Sequence, residues 1–173
     1  MGQRRVITYP DPVLRSPAEP VANIDGKLQA LIDDMADTMY SAPGIGLASN
    51  QVGEPCQVFV FDVSPKDQPR NLMVVINPEI VESEGALVTE EGCLSVVDYA
   101  AEVKRAQTIT VKGLDREGNP ITIREEGLAA VVLQHEIDHL NGKLFIDHLS
   151  KLKRELYKRK LRRKLKDKGA SPI

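Results

Sequence analysis

The sequence predicts an α+β fold in which short antiparallel strands pack around a central helix and a basic helix lies at the C-terminus. Apolar residues recur at helical spacing before residue 40 and again around residue 135, and short β-branched or aromatic runs fill the segment between them. Strands and helices do not alternate as they would in a parallel sheet. With 173 residues, the chain can bury a core as one domain.

The N-terminal part is predicted to start as an extended segment and to continue into a helix. Four prolines between positions 10 and 20 indicate the extended start. Asn23 or Asp25 can cap the helix that follows, which we expect to end near Tyr40. Its apolar residues have the spacing of one buried face: Leu28, Leu31, Ile32, Met35 and Met39.

The middle of the chain is predicted to be rich in strands. Residues 58–61, 73–76 and 108–111 are short runs of β-branched or aromatic character. Residues 114–120 have the composition of a hairpin turn, and the chain returns through residues 121–123. We therefore expect antiparallel pairing in this region.

Two further helices complete the predicted order. One extends from about residue 126 to about residue 141, where Gly142 can end it. The last extends from about residue 150 to about residue 168. The chain is accordingly divided into a domain of residues 1–150 and a basic helical extension of residues 151–173.

Composition and charge exclude several classes of protein. No apolar run approaches the roughly 20 residues of a membrane span, and the first residues are too polar for a secretory signal. Two cysteines, Cys56 and Cys93, give no disulfide framework, so we expect a cytoplasmic protein. The net charge is −2, yet residues 151–168 hold eleven Lys/Arg and two acids, which leaves −11 on the rest of the chain. An acidic body thus ends in a basic helix.

An H-E-x-x-H pattern lies in the second predicted helix, formed by His135, Glu136 and His139. Residues four apart share one face of a helix, so the two imidazoles can bind one metal ion. Glu136 is displaced by about 100° and can reach a water on the metal without being a ligand. The alternative is two unrelated histidines on an exposed helix. Because two of only three histidines fit the pattern, we expect the central helix to be a metal-binding HExxH helix.

A third ligand is needed, because a catalytic metal usually has three protein ligands and one open position. Phe145 stands where metzincins have their third histidine, which excludes that family. Glu155 lies inside the basic extension, and His148 is interpreted as a surface or packing histidine. Cys93 is the best candidate, because it follows a glycine and its thiolate suits both Zn²⁺ and Fe²⁺. Cys56 precedes an apolar strand and is interpreted as a buried small hydrophobe.

Three segments carry a resemblance to a known family: residues 44–51 (GIGLASNQ), 91–95 (EGCLS) and 134–139 (QHEIDH). They are similar to the three signature motifs of bacterial peptide deformylases, in the same order and at similar spacing. The general similarity extends from about residue 5 to about residue 150. One motif alone would be weak to moderate support, whereas all three in order are highly specific.

The resemblance implies an enzyme that removes the formyl group from the N-terminal formyl-methionine of newly made polypeptides and releases formate. It implies one metal ion per chain, Fe²⁺ by resemblance, although Zn²⁺ or another divalent ion also suits the ligands. Glu136 would act as the acid/base. The implied ligands are those favoured above: Cys93, His135 and His139.

The resemblance also implies roles beyond the ligands. The Gln51 side chain and the main-chain N–H of Leu94 would stabilise the oxyanion, and Gly46 would hold the substrate backbone. Two departures from the family pattern occur. Ser49 stands where many members have alanine, and residues 97–100 lack the proline and arginine that commonly follow the second motif. The second departure concerns peptide preference beyond methionine and leaves the metal site unchanged.

An apolar slot for the methionine side chain can be placed on the same helix. Leu128 and Val131 precede His135 by seven and four residues, so both lie on its metal-facing side. With Ile45 opposite, they can line the slot. They can also be core residues, and we expect them to serve both roles.

Two other functions remain open at this point: a metallopeptidase, and a ribosome- or RNA-binding protein with a structural metal. The basic extension can be a solvated helix or a contact with ribosomal RNA. Leu149, Leu152 and Leu156 are expected to form its apolar stripe. The expected partners are formyl-methionyl nascent peptides and the ribosome, with no membrane, and a monomer is the default state.

Overall fold

The computed structural model describes residues 2–169 and has the predicted α+β class, with antiparallel strands and three α-helices in that range. Met1 and residues 170–173, the end of the predicted extension, lie outside the described residues. The helices are α1 (Gly26–Ser41), α2 (Leu128–Leu140) and α3 (Lys151–Asp167). The strands are β1 (Gly46–Ala48), β2 (Val58–Phe61), β3 (Met73–Glu84), β4 (Leu87–Cys93), β5 (Val96–Arg105), β6 (Thr108–Leu114) and β7 (Pro120–Glu126).

The strands form two separate antiparallel sheets. Five of them pair in the order β1-β2-β3-β6-β7, and β4 and β5 form a two-stranded ribbon. β1 pairs only with β2, and β4 pairs only with β5 within the described residues. Each of these two strands therefore keeps one edge with unpaired backbone groups.

The β2 strand lies between two helices. Its side chains point alternately to one helix and to the other, which explains why every one of its residues is buried. Val58 and Val60 belong to a core with the apolar face of α1, whereas Phe59 and Phe61 pack in a second core with α2. Successive side chains of a strand point to opposite faces. The five-stranded sheet is thus covered by one helix on each side, and α2 is held in place beneath β1 and β2.

The helix ends follow the predicted signals. The Asp25 carboxylate accepts the N–H of Leu28 at 2.9 Å and caps α1. Gly142 follows α2 with a φ of +74°, and a Cβ there would lie 2.5 Å from the carbonyl oxygen of Arg15. A residue without a side chain is therefore required where α2 ends.

The prediction was incomplete for the strands and wrong for the face of α3. β1, β4 and β5 were not predicted, and β3 continues eight residues beyond the predicted run. Leu152 and Leu156 are 69% and 51% exposed, so they do not form a packing stripe. Instead, Tyr157 is buried and Leu161 packs beside it, in a third core that also contains Leu149 from the turn before α3.

No helix in residues 2–169 combines the length and the apolar character needed to cross a lipid bilayer.

Candidate active site

Three predicted ligands converge where α2 meets the turn between β4 and β5. The Sγ atom of Cys93 lies 3.3 Å from Nε2 of His139, and this Nε2 lies 3.2 Å from Nε2 of His135. All three ligand atoms lie within 4.8 Å of one another. The two histidines meet because they are one helical turn apart, and the sharp β4–β5 turn brings Cys93 to them.

This cluster fits a tetrahedral metal ion. At usual Zn–N and Zn–S bond lengths, tetrahedral ligands stand about 3.3–3.6 Å apart. The two separations that involve His139, 3.3 and 3.2 Å, are close to these values. Burial, with His135 beside it, holds the pKa of His139 well below its ordinary value, and a metal binds the neutral form of an imidazole. Sulfur and imidazole nitrogen together suit Zn²⁺ or Fe²⁺. The chain thus contains a Cys93/His135/His139 metal site.

A buried polar network contacts His135 on the side of the ring opposite the ligand cluster. Nδ1 of His135 lies 3.0 Å from Oε1 of Glu91, and the Arg105 guanidinium grips Glu91 with two hydrogen bonds of 2.8 and 2.9 Å. Burial would raise the pKa of Glu91, but the hydrogen bonds from Arg105 and His135 lower it to about 2. Arg105 also bonds Asp138 at 2.6 Å, which in turn contacts His148 at 2.8 Å. This network fixes the orientation of the His135 ring.

The Glu136 carboxylate lies beside the metal ligands. It is buried, and its Oε2 accepts no hydrogen bond from the described residues. Burial raises the pKa of Glu136 to about 7. Gly46 makes room for it, since a Cβ at this position would lie 2.5 Å from Oε1 of Glu136. The position of the Glu136 carboxylate therefore requires a glycine at residue 46 of the first motif.

The Gln51 side chain points its N–H₂ group toward the cluster. Its Oε1 accepts the N–H of Ala48 at 2.9 Å, which leaves Nε2 to donate to Oγ of Ser95 at 3.0 Å and to contact Sγ of Cys93 at 3.6 Å. The Ser95 N–H also points to this sulfur at 3.4 Å. Leu94 lies between Cys93 and Ser95 in the turn, so its backbone is held on both sides.

A cavity of about 440 Å³ opens over the cluster. Ile45, Leu128 and Val131 all line it; helical spacing had placed Leu128 and Val131 on this side, and Ile45 was expected opposite them. Val131 is buried, whereas Ile45 and Leu128 are 46% and 59% exposed and lie at the mouth. The remaining lining residues come from both sides of the site: Pro43, Gly44, Gly46, Gln51, Thr89, Glu90, Glu91, Gly92, Cys93, Leu94, Val132, His135 and Glu136.

Several residues of this site carry no sequence-predicted role. Glu91 stands two residues before Cys93, so strand periodicity would have placed both on one face had β4 been predicted. Arg105 has no local signal, because Glu91 is fourteen residues away, and the Ser95 hydroxyl has none, because Gln51 is 44 residues away. His148 is exposed, as interpreted, and its contact with Asp138 links it to the network. Cys56 is half-buried against the core of α1.

Comparison with known proteins agrees with this geometry. Residues 3–155 match the sequence model of a family described as "Polypeptide deformylase". The peptide deformylase of Desulfosudis oleivorans is 56% identical over 162 residues, which cover 93% of this chain and 94% of that one. The crystal structure of the Legionella pneumophila enzyme matches with a TM-score of 0.89 at 47% identity, covering 99% and 100% of the two chains.

A second solved structure is the peptide deformylase from Ehrlichia chaffeensis in complex with actinonin. It has a TM-score of 0.89 at 38% identity and covers 95% of this chain and 98% of its own. Similarity of this extent over almost the whole chain does not favour the metallopeptidase or the non-catalytic RNA-binding protein. The chain belongs to the polypeptide deformylase family, metal-dependent hydrolases that remove the N-terminal formyl group from newly made polypeptides.

Proposed function

We propose that Glu136 is the acid/base of this deformylase, at a metal held by Cys93, His135 and His139. The observation that carries the proposal is the Glu136 carboxylate itself, which is buried, lines the cavity and has an Oε2 without a partner among residues 2–169. A buried polar atom without a partner costs free energy, so a group of the substrate or a water is expected there. When bound, Fe²⁺ or Zn²⁺ would act as a Lewis acid and lower the pKa of a water toward about 7.

Glu136 would then move one proton twice. It accepts the proton of the attacking water and delivers it to the departing amine nitrogen of methionine, while the formyl carbon leaves as formate. General acid–base catalysis of this kind typically contributes a factor of about 10²–10⁴. The glycine at residue 46 supports this role, because a Cβ there would occupy the space that the carboxylate uses.

Two donors would stabilise the negative charge that develops on the formyl oxygen. Gln51 is supported by its fixed orientation, since Ala48 holds its oxygen and the N–H₂ group faces the ligands. The N–H of Leu94 is supported by its position directly after Cys93. A single donor of this type typically contributes a factor of about 10²–10³ in rate.

The substrate would bind as an extended chain along the cavity. The cavity is lined by two uninterrupted runs, residues 43–46 and 89–93. A strand that lined the cavity with one face would contribute only alternate residues, so these runs present their edges to it. Unpaired N–H and C=O groups at such edges can bind a peptide backbone, and Gly46 allows close approach. The methionine side chain would enter the slot lined by Ile45, Leu128 and Val131.

The proposal extends to the metal, the compartment and the assembly. We favour Fe²⁺, by resemblance to the family and because the ligand set includes a soft thiolate, while Zn²⁺ fits the same ligands. Cys56 and Cys93 are both free, which supports a reducing cytoplasm. A monomer is proposed as the simplest state, with residues 1–150 as the catalytic domain around the HExxH helix and residues 151–173 as a basic extension.

α3 is proposed to contact the ribosome, which would bring the enzyme to nascent chains. Arg159, Arg162 and Arg163 are exposed, and Lys158 is half-exposed. Ribosomal RNA attracts such a surface through its phosphates. Leu152 and Leu156 are exposed in the preceding turns of α3 and would add apolar contacts.

The decisive experiment measures formate release from formyl-Met-Ala-Ser by protein purified without oxygen and loaded with metal. Wild type should turn over with Fe²⁺, and exposure to air should inactivate the Fe²⁺ form more than the Zn²⁺ form. Glu136→Ala should lose at least about 10²-fold in kcat while its metal content stays at one ion per chain. Activity in Glu136→Ala close to wild type would refute the role of Glu136.

A further inference from the structure

One hydroxyl group lines the cavity and has no role in the chemistry above. It belongs to Thr89, and no other Ser, Thr or Tyr is among the cavity-lining residues of the described chain. Its Oγ1 atom is buried and has no hydrogen-bond partner within residues 2–169. A buried hydroxyl without a partner costs free energy, so we expect a group from outside the chain to bond to it.

The way β4 runs along α2 locates Thr89 in the proposed methionine slot. Glu91 contacts His135, and Cys93 contacts His139 one helical turn later, so the strand and the helix advance in the same direction. Thr89 precedes Glu91 by two residues and points to the same inner face of the ribbon. It is therefore level with the turn of α2 before His135, which supplies the apolar lining of the slot.

The Thr89 hydroxyl can turn toward the slot. Because no hydrogen bond holds Oγ1, rotation about χ1 can exchange it with the methyl group without breaking a bond to the protein. A thioether sulfur accepts a hydrogen bond only weakly, whereas a sulfoxide oxygen is polar and accepts one readily. In a wholly apolar slot, an S=O group would lose its hydrogen bonds to water, and a single donor offsets that loss.

We propose that this deformylase also removes the formyl group from chains that begin with formyl-methionine sulfoxide, and that Thr89 admits them by donating a hydrogen bond to the sulfoxide oxygen. This inference rests on the proposed function and deepens it, because it names a second substrate class for the same cavity. Water adds to the formyl carbon, the C–N bond breaks, a proton passes to the amine nitrogen and formate leaves. The sulfoxide is neither oxidised nor reduced, so no further reactant is needed.

The test compares kcat/KM for formyl-Met-Ala-Ser and for the same peptide with methionine sulfoxide, using the metal-loaded full chain. Wild type should turn over the sulfoxide peptide within about tenfold of the Met peptide. Thr89→Val keeps a similar shape and removes the hydroxyl, so it should lose a further factor of about ten on the sulfoxide peptide and less than about twofold on the Met peptide. Thr89→Ser keeps the hydroxyl and should retain most of the sulfoxide activity.

Thr122→Val is the matched control, because Thr122 is exposed on β7 and is not a cavity-lining residue. It makes the same change elsewhere and should keep the wild-type ratio of the two rates. Urea unfolding gives an independent readout. Since Oγ1 of Thr89 has no partner, Thr89→Val should not lower the free energy of unfolding. A marked loss of stability would mean that the hydroxyl is bonded within the protein, and it would overturn the inference.

The outcomes separate this inference from the proposed function. Turnover of the Met peptide without measurable turnover of the sulfoxide peptide would overturn the inference and leave the deformylase function standing. A sulfoxide-to-Met ratio that is unchanged in Thr89→Val, or that falls equally in Thr122→Val, would overturn it as well. Absence of turnover with both peptides would overturn the proposed function and the inference together.

Discussion

At the scale of single residues, the contact between Gly46 and Glu136 is a tight steric constraint in the site. A Cβ on residue 46 would lie 2.5 Å from Oε1 of Glu136, so Gly46→Ala must displace the carboxylate. A misplacement of about 1 Å in a catalytic group can cost about 10²-fold in rate, and we expect that loss in kcat with metal content unchanged. Gly26→Ala is the matched control, because its Cβ meets nothing within 4 Å. Wild-type kcat in Gly46→Ala would contradict the assignment.

Glu91 is a second residue whose effect on metal binding can be measured separately from its effect on folding. Glu91→Gln keeps the shape of the side chain but removes the charge that Arg105 and His135 share. Loss of such a hydrogen-bonded carboxylate typically weakens metal binding by about 10- to 100-fold. Competition with a chelator, measured on the folded protein, should show this decrease, and Arg105→Lys should show a smaller one. Equal affinity in Glu91→Gln and in the remote variant Glu117→Gln would argue against the network.

What could be predicted about the site depended on how local its signals are. His135, Glu136 and His139 were found because helical spacing is visible within five residues. Cys93 required elimination among distant candidates, and its assignment agrees with the cluster in the structure. Arg105 could not be assigned, because its partner Glu91 is fourteen residues away on another strand of the ribbon. Pairing across strands is a tertiary fact that composition does not encode.

At the scale of elements, α3 shows how a polar sequence can mislead. The leucines suggested one stripe, but the packed face is defined by Tyr157, whose ring lies 4.5 Å from that of Tyr99 and 6.2 Å from that of Tyr9. Its hydroxyl is buried without a partner among the described residues. Tyr157→Phe should therefore raise the free energy of unfolding by about 1 kcal/mol, because an unsatisfied polar group is removed.

The comparison variants for this element are Tyr157→Ala and Leu156→Ala. The first empties a core site and should lower the free energy of unfolding by about 3–5 kcal/mol. The second truncates a side chain that is 51% exposed and should change it by less than about 0.5 kcal/mol. Urea unfolding measures all three. Destabilisation by Tyr157→Phe would mean that the hydroxyl has a partner, such as an ordered water.

The sequence predicts some strands better than others, and this difference has a physical cause. β2 is buried on both faces, so it consists only of Val and Phe and was predicted with its observed bounds. β4 and β5 form a ribbon with one exposed face, and their acids and glycine give little β propensity. They are stabilised by mutual pairing and by the core beneath them, which no local pattern reveals. The part of the fold that shapes the substrate cavity was therefore the least predictable from sequence.

At the scale of the whole molecule, charge is divided between two parts. Residues 151–168 have a formal charge of +9, and the remainder carries −11. The Lys164 ammonium bonds Asp98 at 2.9 Å, so part of the basic charge is already neutralised within the chain. The outer face of α3 remains basic, while the cavity rim is acidic. We therefore expect a polyanion to bind at α3 rather than at the cavity rim.

Neutralising the basic outer face of α3 tests directly whether this charge separation directs binding. Replacement of Lys158, Arg159, Arg162 and Arg163 by glutamine should weaken ribosome binding, since fewer phosphate counterions are released. The slope of log affinity against log salt should become shallower by up to about 2.8–3.6, because each of four phosphate contacts contributes about 0.7–0.9. Co-sedimentation with ribosomes at several salt concentrations measures both effects. The matched control removes four exposed charges from the acidic body, at Lys27, Lys66, Lys112 and Lys143. Because these lysines lie outside α3, the control should bind ribosomes like wild type. An equal loss of ribosome binding in both variants would show that net charge, rather than α3, directs the molecule to RNA.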